Sequence, residues 1–357
     1  MIRSEAKRAA RERAAQLMGV FTSAGAQPVE ADLLLPAETL LDLYGEDIRA
    51  RAYVTSDPLR GEMMLRPDFT VPVVQMHMAG GAEPARYTYA GEVFRRQETD
   101  LTRPNEYLQV GLELFGGDPA EADAEVFALI AEALAPLRLR AVIGDIGILM
   151  AAVQGLSTSE DRRQALLRHI WRPRRFRAML ERFGGHGMRR RPPLPDPDTL
   201  EEPVGKRTAR EVAERLEAIR RDAETPPIAA HEVALIDSLL GLRETAPNVL
   251  AALRDIAVDL PMISTAVDRL AARLDALVAR GIDVEGLAFE GSYGRTSMEY
   301  YDGFVFGFSS QDRPDLAPVA TGGRYDALTR VLGQGREIPA VGGVIRPGLL
   351  ARMGDAP

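Results

Sequence analysis

The chain has 357 residues, 46% of them hydrophobic and 27% charged, enough to bury a core as one large domain or as a domain carrying a sizeable insertion. The absence of cysteine excludes disulfides, thiolate metal sites and cysteine nucleophiles. The four histidines (His77, His169, His186 and His231) show no metal-ligand spacing, so no metal and no cofactor is implied. A net charge of −8 argues against whole-protein attraction to nucleic acid. With no apolar leader and no run of the ~18–20 apolar residues that cross a bilayer, a soluble cytoplasmic protein is expected.

Residues 4–25 read as an amphipathic helix, with Ser4 as N-cap and apolar positions at Ala10, Ala14, Leu17, Met18 and Phe21. Leu33-Leu34-Leu35-Pro36 reads as an edge strand or strand end. Tyr53-Val54-Thr55 and Met63-Met64-Leu65 read as two more strands, and Phe69 to Met78 as a helix. Residues 86–95 and 106–115 are rich in aromatic and β-forming types. Joined by a polar loop over 97–105, they predict an antiparallel hairpin with a connection too long for a tight turn. A helix follows over 119–135 and a strand over 138–143. From about 157 to 285 the pattern is helical, broken by the proline cluster 192–197 and crowded with arginine between Arg162 and Arg191. Strand character returns at Leu287-Ala288-Phe289 and from Tyr300 to Phe308. Gly322-Gly323-Arg324-Tyr325 leads into a helix over 325–332, and Pro339 to Ile345 follows. Strands, then helices, then strands predict an α+β fold. Its sheet domain has two segments, 1–156 and 286–357, and a mostly helical insertion occupies 157–285.

Alternation along the second hairpin strand puts Gln109, Gly111 and Glu113 on one face. If that face is solvated, Gln109 and Glu113 are ordinary polar surface. The glycine between them points the other way, because it leaves room for something to lie close above the sheet. Glu113 is flanked by Leu112, Leu114 and Phe115, and in apolar surroundings its carboxylate needs a partner. Arg95 on the facing strand could supply one, or could bind an anion with its planar fork.

The run Tyr89-Ala90-Gly91-Glu92-Val93-Phe94-Arg95, followed by Arg103 and by Glu106 to Gly116, resembles motif 2 of the histidyl-tRNA synthetases, class II enzymes with an antiparallel catalytic sheet. Leu65-Arg66-Pro67-Asp68-Phe69-Thr70 is similar to that family's Leu-Arg-Pro-Glu-Gly-Thr stretch. Met298 to Phe306 is similar to its histidine-specific tyrosine motif. Thr321-Gly322-Gly323-Arg324-Tyr325-Asp326, with Pro339-Ala340-Val341-Gly342, resembles the approach to motif 3. Leu33 to Leu40, with Pro36, corresponds to motif 1, through which such cores self-dimerise. The resemblance implies a class II synthetase-like antiparallel sheet flanked by helices, and a histidine pocket. Asp68, Thr70 and Gln109 would hold the α-amino group and Arg95 would face the carboxylate, or an adenylate phosphate. Glu113 and Tyr301 would read the imidazole nitrogens, with Tyr300 lining the pocket.

Three positions depart from the synthetase pattern. Gln97 stands where motif 2 has a glutamate near adenine, and Leu349 where motif 3 has an arginine against the triphosphate. Thr296 stands where an arginine precedes the tyrosine motif; Arg295 is one residue away, and on a strand that shift reverses the face. With Pro357 so close behind motif 3, no C-terminal anticodon-binding domain is expected. A chain that keeps the amino-acid-binding residues but not the ATP-binding ones resembles the regulatory subunits of short-form ATP phosphoribosyltransferases, which act at the first step of histidine biosynthesis. That resemblance implies a non-catalytic chain that joins a small catalytic subunit in a hetero-octamer, activates it and takes part in feedback inhibition by L-histidine. The alternatives are a truncated active histidyl-tRNA synthetase, a tRNA- or RNA-binding module using the arginine-rich segment 162–191, and an architectural activator with a vestigial pocket. Ala320-Thr321-Gly322-Gly323 lacks the preceding acidic pair of a phosphoribosyl site and is expected to be a loop approaching motif 3.

Overall fold

The computed structural model describes residues 5–38, 51–97, 104–186, 208–296 and 300–354. Ser4, Leu40, Arg103 and the rest of 98–103, the arginines at 189–191, the proline cluster 192–197, and Met298 with Glu299 lie outside them.

Helix α1 (Glu5–Ser23) buries Ala10, Ala14, Leu17 and Phe21, the stripe that its apolar spacing predicts. Strands β1 (Gln27–Pro28), β2 (Leu34–Pro36), β3 (Val54–Asp57) and β4 (Gly61–Leu65) precede helix α2 (Thr70–Met78) and the long pair β5 (Ala85–Phe94) and β6 (Glu106–Phe115). Helix α3 (Pro119–Leu134) begins where the Asp118 side chain accepts from the Glu121 amide at 3.0 Å, with proline in the first turn. Strand β7 (Arg140–Asp145) is followed by α4 (Ile146–Gln154), α5 (Glu160–Arg168), α6 (Pro173–Phe183), α7 (Ala209–Glu224) and α8 (Ala230–Gly241). A short strand, β8 (Arg243–Thr245), interrupts the helical region before α9 (Ala246–Asp259) and α10 (Ser264–Ala279). The order closes with β9 (Ala288–Glu290), β10 (Phe304–Ser309), β11 (Ala320–Arg324), α11 (Asp326–Leu332), β12 (Ala340–Ile345) and α12 (Pro347–Gly354).

One sheet runs β1-β5-β6-β12-β11-β10-β7-β9-β8, and a second runs β2-β4-β3. The six strands from β5 to β7 pair antiparallel, while β1 on β5 and β7 on β9 are parallel. This is the α+β sheet flanked by helices that the motifs imply. Period-2 alternation in β10 aims Phe304, Phe306 and Phe308 at Phe127 of α3, with ring centroids 6.3, 5.4 and 5.2 Å apart. Each such ring contributes roughly 1.5–3 kcal/mol by leaving water. Helix α10 packs on α3 across a buried charge cluster. Arg273 reaches Asp123 at 2.7 Å and Asp145 at 2.9 Å, and Arg324 reaches the same Asp123 at 2.7 Å.

Four expectations need correction. The strand expected from 138 starts at Arg140, because Arg138 is in the left-handed region (φ 48°) and ends the preceding turn. The strand expected from Tyr300 starts at Phe304. Before it, the Asp302 carboxylate accepts from the amides of Asp326 and Ala327 at 3.2 and 2.6 Å, so that segment caps α11 instead of entering the ladder. Ala320-Thr321-Gly322-Gly323 is the central strand β11 and not a loop. Its glycines look like loop formers in sequence, but here they admit the rings of Phe306 and Tyr301, which a Cβ would approach within 3 Å. Strand β8, inside the region expected to be helical, pairs with β9 at the sheet edge.

Candidate functional site

The loop Arg66 to Phe69 places the first wall of the site. Arg66 donates from Nε to the Glu92 carbonyl at 2.8 Å, and its guanidinium lies 3.9 Å above the Phe69 ring. Phe69 in turn stacks on Tyr89 at 4.3 Å. This layer fits because Gly91 has no side chain: a Cβ there would come within 2.4 Å of the Arg66 guanidinium. The docking sets buried Asp68 and Thr70 at the entrance of α2, facing β6.

The floor is β6 and its neighbours. Gln109 and Glu113 are each 1% exposed. The register pairs Tyr89 with Gly111 and Tyr87 with Glu113. What lies over Gly111 is therefore the Tyr89 ring, 2.2 Å from where a Cβ would stand. The Tyr89 hydroxyl donates to Glu113 Oε1 at 2.8 Å, Thr70 donates to the same oxygen at 2.9 Å, and Tyr325 donates to Oε2 at 2.5 Å. Three hydroxyls thus hold Glu113. Arg95 lies beyond the end of β5, opposite Asn105, and donates from Nε to the Pro67 carbonyl at 2.8 Å. Burial pushes the Glu113 carboxyl up to about 7; the three hydroxyls pull it down, and the negative charge of Asp68 adds to the rise. Near neutral pH this group can therefore either accept or donate a proton. Gln109 Oε1 is buried without a hydrogen-bond partner among the described residues, which costs roughly 1–3 kcal/mol unless a donor arrives.

Asp68, Thr70, Arg95, Gln109, Glu113, Tyr300 and Tyr301 all line one cleft of about 1270 Å³. The structure brings all seven sequence-derived residues together. The Tyr300 and Tyr301 rings meet edge to face at 5.1 Å, and Tyr300 also packs edge-on to Tyr325 at 5.9 Å. The Tyr301 phenol is held above its ordinary value by burial, then by the negative charges of Glu113 and Asp68, so it stays a neutral donor.

Sequence reasoning missed three residues. Tyr89 and Tyr325 support Glu113, and only strand register could have revealed Tyr89. Arg346 also lines the cleft, donating to the Pro318 carbonyl at 2.8 Å and to Thr321 Oγ1 at 3.1 Å. Its guanidinium is held below the usual arginine value by burial, while the Tyr107 phenol counters this and the charge of Arg95 adds to it.

Gln97, Thr296 and Leu349 also line this cleft. Arg295 does not substitute for the missing arginine. It is turned away, donating from Nε to the Ile170 carbonyl at 2.8 Å with its guanidinium 4.7 Å above the Phe176 ring. Among the described residues no group of three or more histidine, aspartate or glutamate side chains is placed to hold a metal ion, and no helix is long and apolar enough to cross a membrane.

The sheet, the motif 2 hairpin and the glycine-lined floor define a class II synthetase-like chain. A model of the histidyl-tRNA synthetase family matches residues 2–186 and 200–347. The ATP phosphoribosyltransferase regulatory subunits of Brucella canis and Brucella suis are each 31% identical over 346 residues, covering 89% of this chain and 90% of the relative. A Bacillus halodurans crystal structure described as an ATP phosphoribosyltransferase regulatory subunit/histidyl-tRNA synthetase shares the fold. Its TM-score is 0.72 at 21% identity, over 100% of this chain and 82% of that one. A Nostoc histidyl-tRNA synthetase shares it with a TM-score of 0.66 at 17% identity, over 97% and 72%. The chain belongs to the ATP phosphoribosyltransferase regulatory subunit family.

Proposed function

We propose that this chain is the histidine-binding, non-catalytic partner of a short-form ATP phosphoribosyltransferase catalytic subunit, acting in the cytoplasm at the first step of histidine biosynthesis. It activates that subunit and carries feedback inhibition by L-histidine within a hetero-octamer built on self-dimers of the synthetase-like core. The 157–285 region is the insertion in that core. The observation that supports this reading best is the cleft floor. A carboxylate fixed by Thr70, Tyr89 and Tyr325 shares a strand face with the Gln109 oxygen, buried and without a partner among the described residues. An imidazole N–H suits the first and an α-ammonium suits the second, with Asp68 near the ammonium and Arg95 toward the carboxylate. Such a pocket holds histidine at both ends. Meanwhile the cleft wall presents Gln97, Thr296 and Leu349 where adenylate chemistry needs charged groups.

The test is steady-state transferase activity of the catalytic subunit with and without this chain, across a histidine titration. Activation, and histidine inhibition that weakens in Glu113→Ala, are expected. No effect on the transferase, together with histidine-dependent pyrophosphate exchange by this chain alone, would replace this reading with an active synthetase.

A further inference from the structure

The pocket is wired to the arginine-rich part of the helical region. Trp171, in the turn between α5 and α6, donates from Nε1 to the Tyr301 carbonyl at 3.1 Å. One residue earlier, the Ile170 carbonyl takes the Arg295 hydrogen bond, and Arg295 stacks on Phe176 of α6. The α5–α6 turn is therefore pinned at two points to the stretch that carries Thr296, Tyr300 and Tyr301.

The outer face of that turn is basic and unbalanced. Arg162, Arg163, Arg177 and Arg182 of the same two helices each have a carboxylate partner. Arg168, Arg174 and Arg175 are exposed and have none among the described residues. Their field reaches inward. His169 is held below the ordinary histidine value first by burial, then by the charges of Arg172, Arg175 and Arg168. Its Nδ1 is buried without a hydrogen-bond partner among the described residues. Like charges gathered on one face repel each other in the free chain, and an anionic surface laid over them relieves that repulsion.

We infer that the α5–α6 face centred on Arg168, Arg174 and Arg175 docks an acidic surface of the catalytic transferase subunit, with Trp171 relaying the state of the pocket through Tyr301. This rests on the function proposed above. RNA fits the face less well, because none of Trp171, Phe176 and Phe183 offers a stacking platform, Phe183 being buried under Arg162 and Arg182. The indole is bonded to Tyr301, and Phe176 is fully buried beneath Arg295. The net charge of −8 also repels a polyanion at longer range. A protein partner needs no intercalating ring, only complementary charge. Trp171 touches no proposed ligand position itself; it is a positioning residue for Tyr301.

The test uses the full chain with the catalytic subunit of the same organism. Affinity is measured by analytical ultracentrifugation at low and high salt, and histidine binding by calorimetry on the free chain and on the complex. Arg168→Glu with Arg175→Glu is expected to weaken the complex at least about tenfold at low salt and to flatten its salt dependence, with histidine binding to the free chain unchanged. By linkage, any ratio between histidine affinities in the complex and in the free chain reports coupling. Trp171→Phe is expected to bring that ratio close to one while histidine still binds. A charge-reversed variant that binds the subunit like the wild type overturns the docking face. A variant that keeps the subunit but loses tRNA retention overturns it in favour of nucleic acid. A Trp171→Phe variant with the wild-type ratio overturns the relay. If the wild-type chain itself fails to bind the subunit, the regulatory function falls, and this inference with it.

Discussion

Replacing Glu113 with glutamine isolates the electrostatics of the cleft floor. The wild-type carboxyl is pushed from its ordinary 4.5 to about 7. At about 1.36 kcal/mol per pKa unit, that difference amounts to roughly 3 kcal/mol in favour of the protonated form. The sign follows from linkage. Between pH 4.5 and 7 the folded chain holds a proton that the unfolded chain has released. Stability therefore falls as pH rises through this window, and the full 3 kcal/mol is lost above it. Glutamine cannot titrate. Its Oε1 can keep the hydrogen bonds from Thr70 and Tyr89, while its amide faces Tyr325, whose hydroxyl must turn to accept. That rearrangement costs about 1 kcal/mol at any pH. Urea unfolding of both proteins at intervals between about pH 4 and pH 8 gives the comparison. The wild-type-minus-variant stability should decline by about 3 kcal/mol across the window and be flat on either side. Taking the difference cancels other buried acids, including Asp302, which burial also raises to about 7. Parallel curves, differing by a constant to within about 0.5 kcal/mol, would refute the claim that Glu113 is a raised, buried acid in the free chain.

Three further outcomes are expected. Gly342→Ala places a Cβ 1.5 Å from Glu113 Oε2, so the carboxylate must leave its hydroxyls; about 3 kcal/mol of stability by urea unfolding, and at least tenfold in histidine affinity by calorimetry, should be lost together. Arg273→Ala leaves Asp123 and Asp145 short of a buried cation and should cost about 3–5 kcal/mol, with amide exchange rising first in α10 and α3. Gln109→Leu removes a buried oxygen that has no partner among the described residues, so stability should hold or rise, by up to roughly 1–3 kcal/mol, while histidine affinity falls about tenfold.

Much of this architecture could be read from residue order, and the failures share a cause. Periodicity located α1 and gave the bounds of β6 to the residue, because the apolar pattern of each agrees with its local propensity. Strand β11 escaped because its consecutive glycines are poor strand formers; it is a strand only because β10 and β12 pair with it and aromatic rings need the space. The pocket face was legible from the alternation of Gln109, Gly111 and Glu113. The partner of Glu113 was not, since it depends on which residue of β5 stands opposite Gly111. A hairpin with a long connection leaves that register open. Tyr325 reaches Glu113 from more than two hundred residues away, through the β6–β12 pairing, and no local pattern encodes that approach.

On the proposed function, the placement of these residues accounts for an amino-acid pocket on this fold without adenylate chemistry. The floor is a network in which change is costly. Glu113 is locked by three hydroxyls, one of them on a ring that only Gly111 admits, and Gly342 lies in van der Waals contact with the same carboxylate. Substitution at any of these points disturbs packing as well as binding. Gln97, Thr296 and Leu349 sit differently, outside the strands of the sheet and at least partly exposed to the cleft. Exchanging side chains there leaves no cavity and no unpaired buried charge, so stability does not oppose it. Trp171 and Arg295 bind the helical region to the back of the stretch that carries Thr296, Tyr300 and Tyr301. If the cleft binds histidine as proposed, a pocket held from below and behind, with these three positions free to vary, can shed phosphate-binding groups by drift while selection on histidine affinity preserves its floor.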